Sequence, residues 1–195
     1  MMTVATTEKR AAIIPKRFSV EEFHKMTEAG ILPEESGWEI IDGYIVNKMS
    51  IGSKHAGTVK RLGEMLRDLT RQQAIVSVQD PIDIDKYNEP EPDVALLKRR
   101  SDFYTESHPT PADVLLLIEV SDSTVETDRE IKRTLYAEAG IEEFWLVNLK
   151  ENTIECYSSP KNGSYRLAQI FETGETVVSK KIENLVLQVE EILGS

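Results

Sequence analysis

Cysteine is almost missing from this chain: Cys156 is the single one. No internal disulfide and no multi-cysteine zinc centre can form, which is the usage expected of a reduced, cytoplasmic protein. Cys156 itself reads as an inert strand residue. Histidine is also scarce. His24, His55 and His108 are scattered, and none has a second His or Cys at ligand spacing, so a zinc enzyme is not expected. Positive charge is in deficit, with 34 acids against 23 bases and a net charge of -11. No overall positive field therefore advertises nucleic-acid binding, and a local basic patch, a metal ion or both would have to replace it. No run approaches the roughly 20 apolar residues that cross a bilayer, and Met1 to Pro15 lacks the apolar core of a signal peptide. The phosphate loop GxxxxGK[ST], the GxGxxG turn, the GxSxG elbow and the HExxH helix are all absent.

What is present suits one globular domain with a real core: 195 residues, 40% hydrophobic and 29% charged. Residues 1–17 show no period and are expected to be a flexible leader before a domain over 18–195. Ser19 and Glu22 form a capping box, opening a short helix that ends near Gly30. Trp38 to Ile41 and Tyr44 to Met49 are runs of β-formers joined at Asp42-Gly43, a strong hairpin signal, with Glu39 on the first arm. From His55 the spacing of Val59, Leu62, Leu66 and Leu69 predicts a helix to about Gln73. Short strands are expected at Ile75 to Val78 and Ile82 to Ile84, and another opens after Pro92-Asp93. Residues 99–111 read as a loop. Further strands are expected at Phe144 to Val147, Thr153 to Tyr157, Tyr165 to Phe171 and Thr176 to Val178, with a terminal helix from near Gln188. Asn162-Gly163-Ser164 is a turn. The fold class is mixed α/β (α+β), a central mixed sheet flanked by helices with extra hairpins.

The stretch Val114 to Val120 organises the rest. An unbroken apolar run fits a strand buried on both faces, and Glu119 falls within its end. A carboxylate there is costly unless a cation or donors meet it. Thr127 and Glu130 have capping-box spacing, so a helix is expected just after Thr127, with Ile131, Leu135 and Ala139 as its apolar stripe. Asp128, Lys132 and Tyr136 form a second stripe one residue round, which offers a lysine back to the strand end. Asp93 stands at the mouth of one strand and Glu119 near the end of another. Two such carboxylates repel, and one takes up a proton unless a hard divalent cation lies between them.

Pro92-Asp93 with Glu119-Val120-Ser121 resembles the PD-(D/E)XK motif of the restriction-endonuclease-like nucleases. The ordered set Trp38-Glu39-Ile40-Ile41-Asp42-Gly43, His55, Gln79-Asp80-Pro81, Glu91-Pro92-Asp93, Ile118 to Ser121, Asp128, Lys132, Tyr136 and Gly140 to Val147 resembles the Uma-type restriction endonuclease family within that superfamily. The resemblance implies a restriction-endonuclease-like core and a metal-dependent endodeoxyribonuclease. Asp93, Glu119 and the Val120 carbonyl would hold Mg²⁺ or Mn²⁺, Lys132 would act on the attacking water, and Glu39 would be a third acid. DNA is the implied partner, and a homodimer the implied assembly. One departure stands out: where the motif has lysine, this chain has Ser121, and Lys132 on the next helix takes its place.

Each residue also has a plainer reading. Asp93 after proline suits a turn, Lys132 a solvated helix face, and Glu39 a hairpin salt bridge. His55 suits a helix cap better than the site. Gln79 either lines the cleft near Asp93 or bonds a neighbouring strand, while Tyr136 packs with its hydroxyl on the acids. Lys54, Lys60, Arg61, Arg67, Arg71, Lys98, Arg99 and Arg100 form either a phosphate-contacting rim or a solvated face. The alternative function is a nuclease-like fold without turnover, serving as a DNA-binding or protein-interaction module.

Overall fold

The computed structural model describes residues 15–33, 37–47, 52–122 and 125–194, without the side chains of Thr127 and Asp128. Most of the expected leader, the arm end at Met49 and the proposed Thr127 cap and Asp128 stripe lie outside the described residues. In chain order the first half runs α1 (Val20–Glu28), β1 (Trp38–Ile41), β2 (Tyr44–Asn47), α2 (Ser53–Thr70), β3 (Ala74–Ser77) and β4 (Val94–Lys98). The central strand β5 (Val114–Ser121) leads into a helix in three pieces: α3 (Val125–Thr127), a π-helical turn (Asp128–Lys132) and α4 (Arg133–Glu138). Then come β6 (Glu143–Asn148), β7 (Thr153–Lys161), β8 (Ser164–Phe171), β9 (Thr176–Val178), β10 (Val186–Gln188) and α5 (Val189–Leu193).

Six strands form one mixed sheet in the order β3-β4-β5-β6-β7-β8, in which β5 and β6 are the parallel pair. A parallel pair needs a crossover, and the helix after β5 provides it. Residues of β5 alternate between two cores. Leu116, Ile118 and Val120 face a cluster with Leu62 and Leu66 of α2 and Ile192 of α5, while Leu117 packs with Leu135, Tyr136 and Phe144 on the other side. Helices thus cover both faces, which is why the strand reads as continuously apolar.

The β1–β2 ribbon turns at Asp42 and Gly43, both with positive φ. A Cβ on Gly43 would stand 2.8 Å from the Arg17 Cβ, so the glycine serves both the turn and the close approach. The Glu89 amide donates to the Ile40 carbonyl (2.9 Å) and the Gly43 amide to that of Tyr87 (2.9 Å), which ties the ribbon to the segment before β4.

Three expectations need correction. Ile82 to Ile84 form no strand: the amides of Ile82 and Asp83 donate to the carbonyls of Pro90 and Pro109, which are loop partners. Leu69 is exposed on α2. The helix after β5 begins at Val125, ahead of Thr127, and Ile131 is 49% exposed while Leu135 is buried. The π turn explains the last difference. It inserts one residue, rotating the side chains after it by about 100° relative to those of α3, and it leaves Ile131 at the surface while Lys132, Leu135 and Tyr136 are buried. Lys132 and Tyr136 turn to the sheet instead.

Candidate active site

Asp93 immediately precedes β4, whose register pairs Val94 with Ile118, so the next step outward sets Asp93 beside Glu119 at the end of β5. The backbone fixes the pair. The Val120 amide donates to Asp93 Oδ2 (2.9 Å), and the Asp93 amide lies 3.4 Å from Glu119 Oε2 as donor. Two side chains complete the Asp93 half: His55 Nε2 from the first turn of α2, 3.0 Å from Oδ2, and Gln79 Nε2, which donates to Oδ1 at 3.2 Å. Gln79 adopts φ +57°, and its amide donates to the Asp93 carbonyl (3.2 Å). A left-handed glutamine is costly, about 1–3 kcal/mol, and such strain persists where surrounding contacts demand it.

The Glu119 half is built by the π turn. Lys132 Nζ lies 3.1 Å from Glu119 Oε1 and 3.3 Å from Glu39 Oε1, with both acids nearly inaccessible. The Tyr136 hydroxyl donates to Glu119 Oε1 (2.6 Å), and the Glu91 amide to Glu39 Oε2 (3.2 Å). Lys132 is only 8% exposed, a cation between two buried acids. Three residues earlier, in the same π turn, the Arg129 guanidinium grips both oxygens of buried Glu155 on β7, with Nε at 3.0 Å from Oε2. A bidentate pair of this kind carries geometric specificity as well as energy.

Burial works to raise the Asp93 pKa, but the His55 hydrogen bond and charge, the Val120 amide and the Lys132 charge outweigh it and hold the carboxyl below its ordinary value. Burial likewise works to lower the His55 pKa, yet the Asp93 hydrogen bond and the Asp93 and Glu119 charges raise it. Each group thus favours the charged form of the other. Its donors are hard oxygens, the preference of Mg²⁺ and Mn²⁺. Among the described residues no three His, Cys, Asp or Glu side chains form a metal-holding group. An ion held by Asp93 and Glu119 would draw its other ligands from main chain and water, as Mg²⁺ commonly does.

The structure brings together Asp93, Glu119, Lys132, Glu39, His55, Gln79 and Tyr136, with the Val120 amide bonded to Asp93. His55 is not the helix cap: Gly52 occupies that place, and the imidazole turns to Asp93. Of the basic residues beside α2 and β4, Arg61 donates to the Ile192 carbonyl, Arg99 to that of Arg71, Lys54 to that of Leu149, and Arg100 pairs with Asp102, so four of them have partners within the chain. Sequence reasoning missed Arg129 and Glu155, since residues on a helix and a distant strand carry no spacing signal. It also missed that His24 and His108 line one cleft.

No curated protein matches the sequence. Among solved structures the fold is similar to the crystal structure of a protein described as a putative nuclease belonging to DUF820, from Anabaena variabilis ATCC 29413. The TM-score is 0.70 at 17% identity, covering 91% of this chain and 98% of the other. A family model, Uma2, described as "Putative restriction endonuclease", matches residues 20–190. By that match the chain belongs to the Uma2 family of restriction-endonuclease-like nucleases.

Proposed function

We propose that this nuclease is a metal-dependent endonuclease that hydrolyses DNA phosphodiester bonds through Asp93, Glu119 and Lys132. One observation carries the reading: an acid at a strand mouth, an acid at a strand end and an ammonium from a π turn converge in one place, with Lys132 Nζ 3.1 Å from Glu119. A Mg²⁺ or Mn²⁺ ion held by Asp93, Glu119 and the Val120 carbonyl would polarise the phosphoryl oxygen and acidify water. The chain's own residues do the rest. His55, Gln79 and the Val120 amide keep Asp93 charged and fixed. Tyr136 orients Glu119, and Lys132 positions the attacking water or meets charge as it builds on phosphorus. Glu39 shares the ammonium and holds it on the sheet side. Lys132 supplies the cation that the motif lysine would have supplied, since the helix carries it back to the strand end.

Purified protein with Mg²⁺ or Mn²⁺ should nick or cut DNA, and Asp93→Ala, Glu119→Ala and Lys132→Ala should each lower the rate at least about a hundredfold. Activity surviving all three single changes excludes the site. A second reading, an inert binding module, is favoured by one observation: both carboxylates already have protein partners. Calorimetric titration with Mn²⁺ separates the two, because saturable binding lost in Glu119→Gln supports the enzyme and no binding supports the module.

A further inference from the structure

The six-stranded sheet has two edges, and they are not alike. At one, β3 is four residues long. At the other, β8 runs for eight residues, Ser164–Phe171, and six of them are exposed. Its inner side keeps a constant register on β7, from Ile154 against Phe171 to Lys161 against Ser164, while its outer side pairs with no strand among the described residues. An edge of this length accepts a further strand unless something blunts it. The usual devices are missing from β8. It holds no proline, no lysine and no acid, Arg166 is its one charge, and none of its residues takes the positive φ that would kink it. Leu167 and Ile170 are 49% and 64% exposed, one on each face, since the register sets Leu167 beside Ser158 and Ile170 beside Glu155.

We propose that β8 is an interaction surface for a second copy of this chain, the two strands pairing antiparallel about a two-fold axis at Gln169. The stretch from Arg166 to Glu172 is complementary to itself when so turned. Arg166 falls opposite Glu172 of the other copy, Leu167 opposite Phe171, and Ala168 opposite Ile170, each pair occurring twice. Opposite charges meet at both ends and apolar side chains meet between them, the kinds of cross-strand pair that stabilise a sheet. Faces are kept as well: Leu167 and Phe171 share the side of Ile154, and Ala168 and Ile170 that of Tyr157. Both charges are available, because no ion pair or side-chain hydrogen bond among the described residues engages the Arg166 guanidinium or the Glu172 carboxylate. A foreign strand would meet the same backbone but not this order of side chains, whereas an isologous contact matches one patch to itself. The sheet then continues through both copies. Since β8 runs parallel to β5, the two-fold reverses the second β5 and carries its acid cluster to the opposite end of the strands, seven strand spacings away, roughly 34 Å. Neither cluster completes the other.

Sedimentation velocity over a roughly hundredfold range of concentration tests the pairing, at about 0.15 M salt, where the net charge of -11 on each copy is largely screened. The wild type should pass reversibly from monomer to dimer with a Kd on the order of ten micromolar, as befits a small interface. Arg166→Glu and Glu172→Arg should each weaken the dimer at least about tenfold, because one substitution sets two like-charge pairs across the axis. The double variant exchanges the charges and should return Kd to within about threefold of wild type. Both positions are exposed, so the fold is retained, which circular dichroism checks. A wild type that stays monomeric throughout, a dimer that neither reversal weakens, or a double variant no tighter than the single ones each overturns the interface. DNA cutting per protomer should be the same across the series, and it reports separately on the nuclease reading.

Discussion

Glu119 and Glu143 look alike in the sequence, each an acid at one end of an apolar strand run, and they lie on the parallel neighbours β5 and β6, 3% and 2% exposed. Their surroundings differ in kind. Glu143 receives the Trp145 indole N–H (3.0 Å), the Ser179 hydroxyl (2.8 Å) and the Lys180 and Lys181 amides (as close as 3.0 and 3.2 Å), all but the indole from the segment that leads to β10. Glu119 receives an ammonium, a phenol and one amide, and a second carboxylate stands beside it. The first acid is a latch that closes the C-terminal ribbon onto the sheet. The second sits where charges of both signs gather at a strand end, the arrangement from which a reactive site is made.

Glutamine at each position should break the likeness most sharply. Glu119→Gln removes the charge that the site needs, so DNA cutting should fall at least about a hundredfold; its remaining oxygen can still accept from both Lys132 and Tyr136, which meet Oε1, so Tm should fall less than in Glu143→Gln. Glu143→Gln turns an amide NH₂ toward groups that are themselves donors. It should cost on the order of 3 kcal/mol, roughly 6–12 °C in Tm at this chain length, with activity retained where the protein stays folded. Calorimetry and a nicking assay on the pair check both halves; equal stability losses would erase the distinction.

A smaller effect concerns the π turn that carries Lys132. Glu155→Gln loosens the grip on Arg129 in the π turn, and should lower kcat several-fold while leaving KM nearly unchanged, because the ammonium is displaced rather than removed. A KM effect alone would place Glu155 elsewhere in the mechanism. The smallest effect is in pH. Burial works to raise the Glu155 pKa, but Arg129 and Tyr157 outweigh it and hold the carboxyl below its ordinary 4.5. A lowered folded pKa means stability present above the unfolded value and lost as pH falls through the folded one. The Tm gap between wild type and Glu155→Gln should therefore stay constant from pH 7 to about 5.5 and shrink below about 4.5. A gap growing toward acid would contradict this.

Much of the fold could be read from local pattern. The hairpin at Asp42-Gly43, the Ser19–Glu22 capping box and the run Val114 to Val120 are governed by neighbours a few residues away, and all three form as expected. Asp93 and Glu119 are legible because an acid inside or beside an apolar strand is conspicuous. Ile131 is not, because its placement assumes a regular helix across a π turn, and a local pattern cannot announce an inserted residue.

The sequence by itself determined which segments become strands and helices and which acids had to be explained, since periodicity and the cost of burying charge act along a short length of chain. Only the tertiary structure decided what each acid meets. It set Lys132 against Glu119 and Glu39, turned His55 from cap to partner of Asp93, spent four of the surface cations on carbonyls and Asp102, and gathered His24, Trp38, Glu91 and His108 around one cleft. Those meetings depend on strand order and on one extra residue in a helical turn, quantities that reside in no window of the chain.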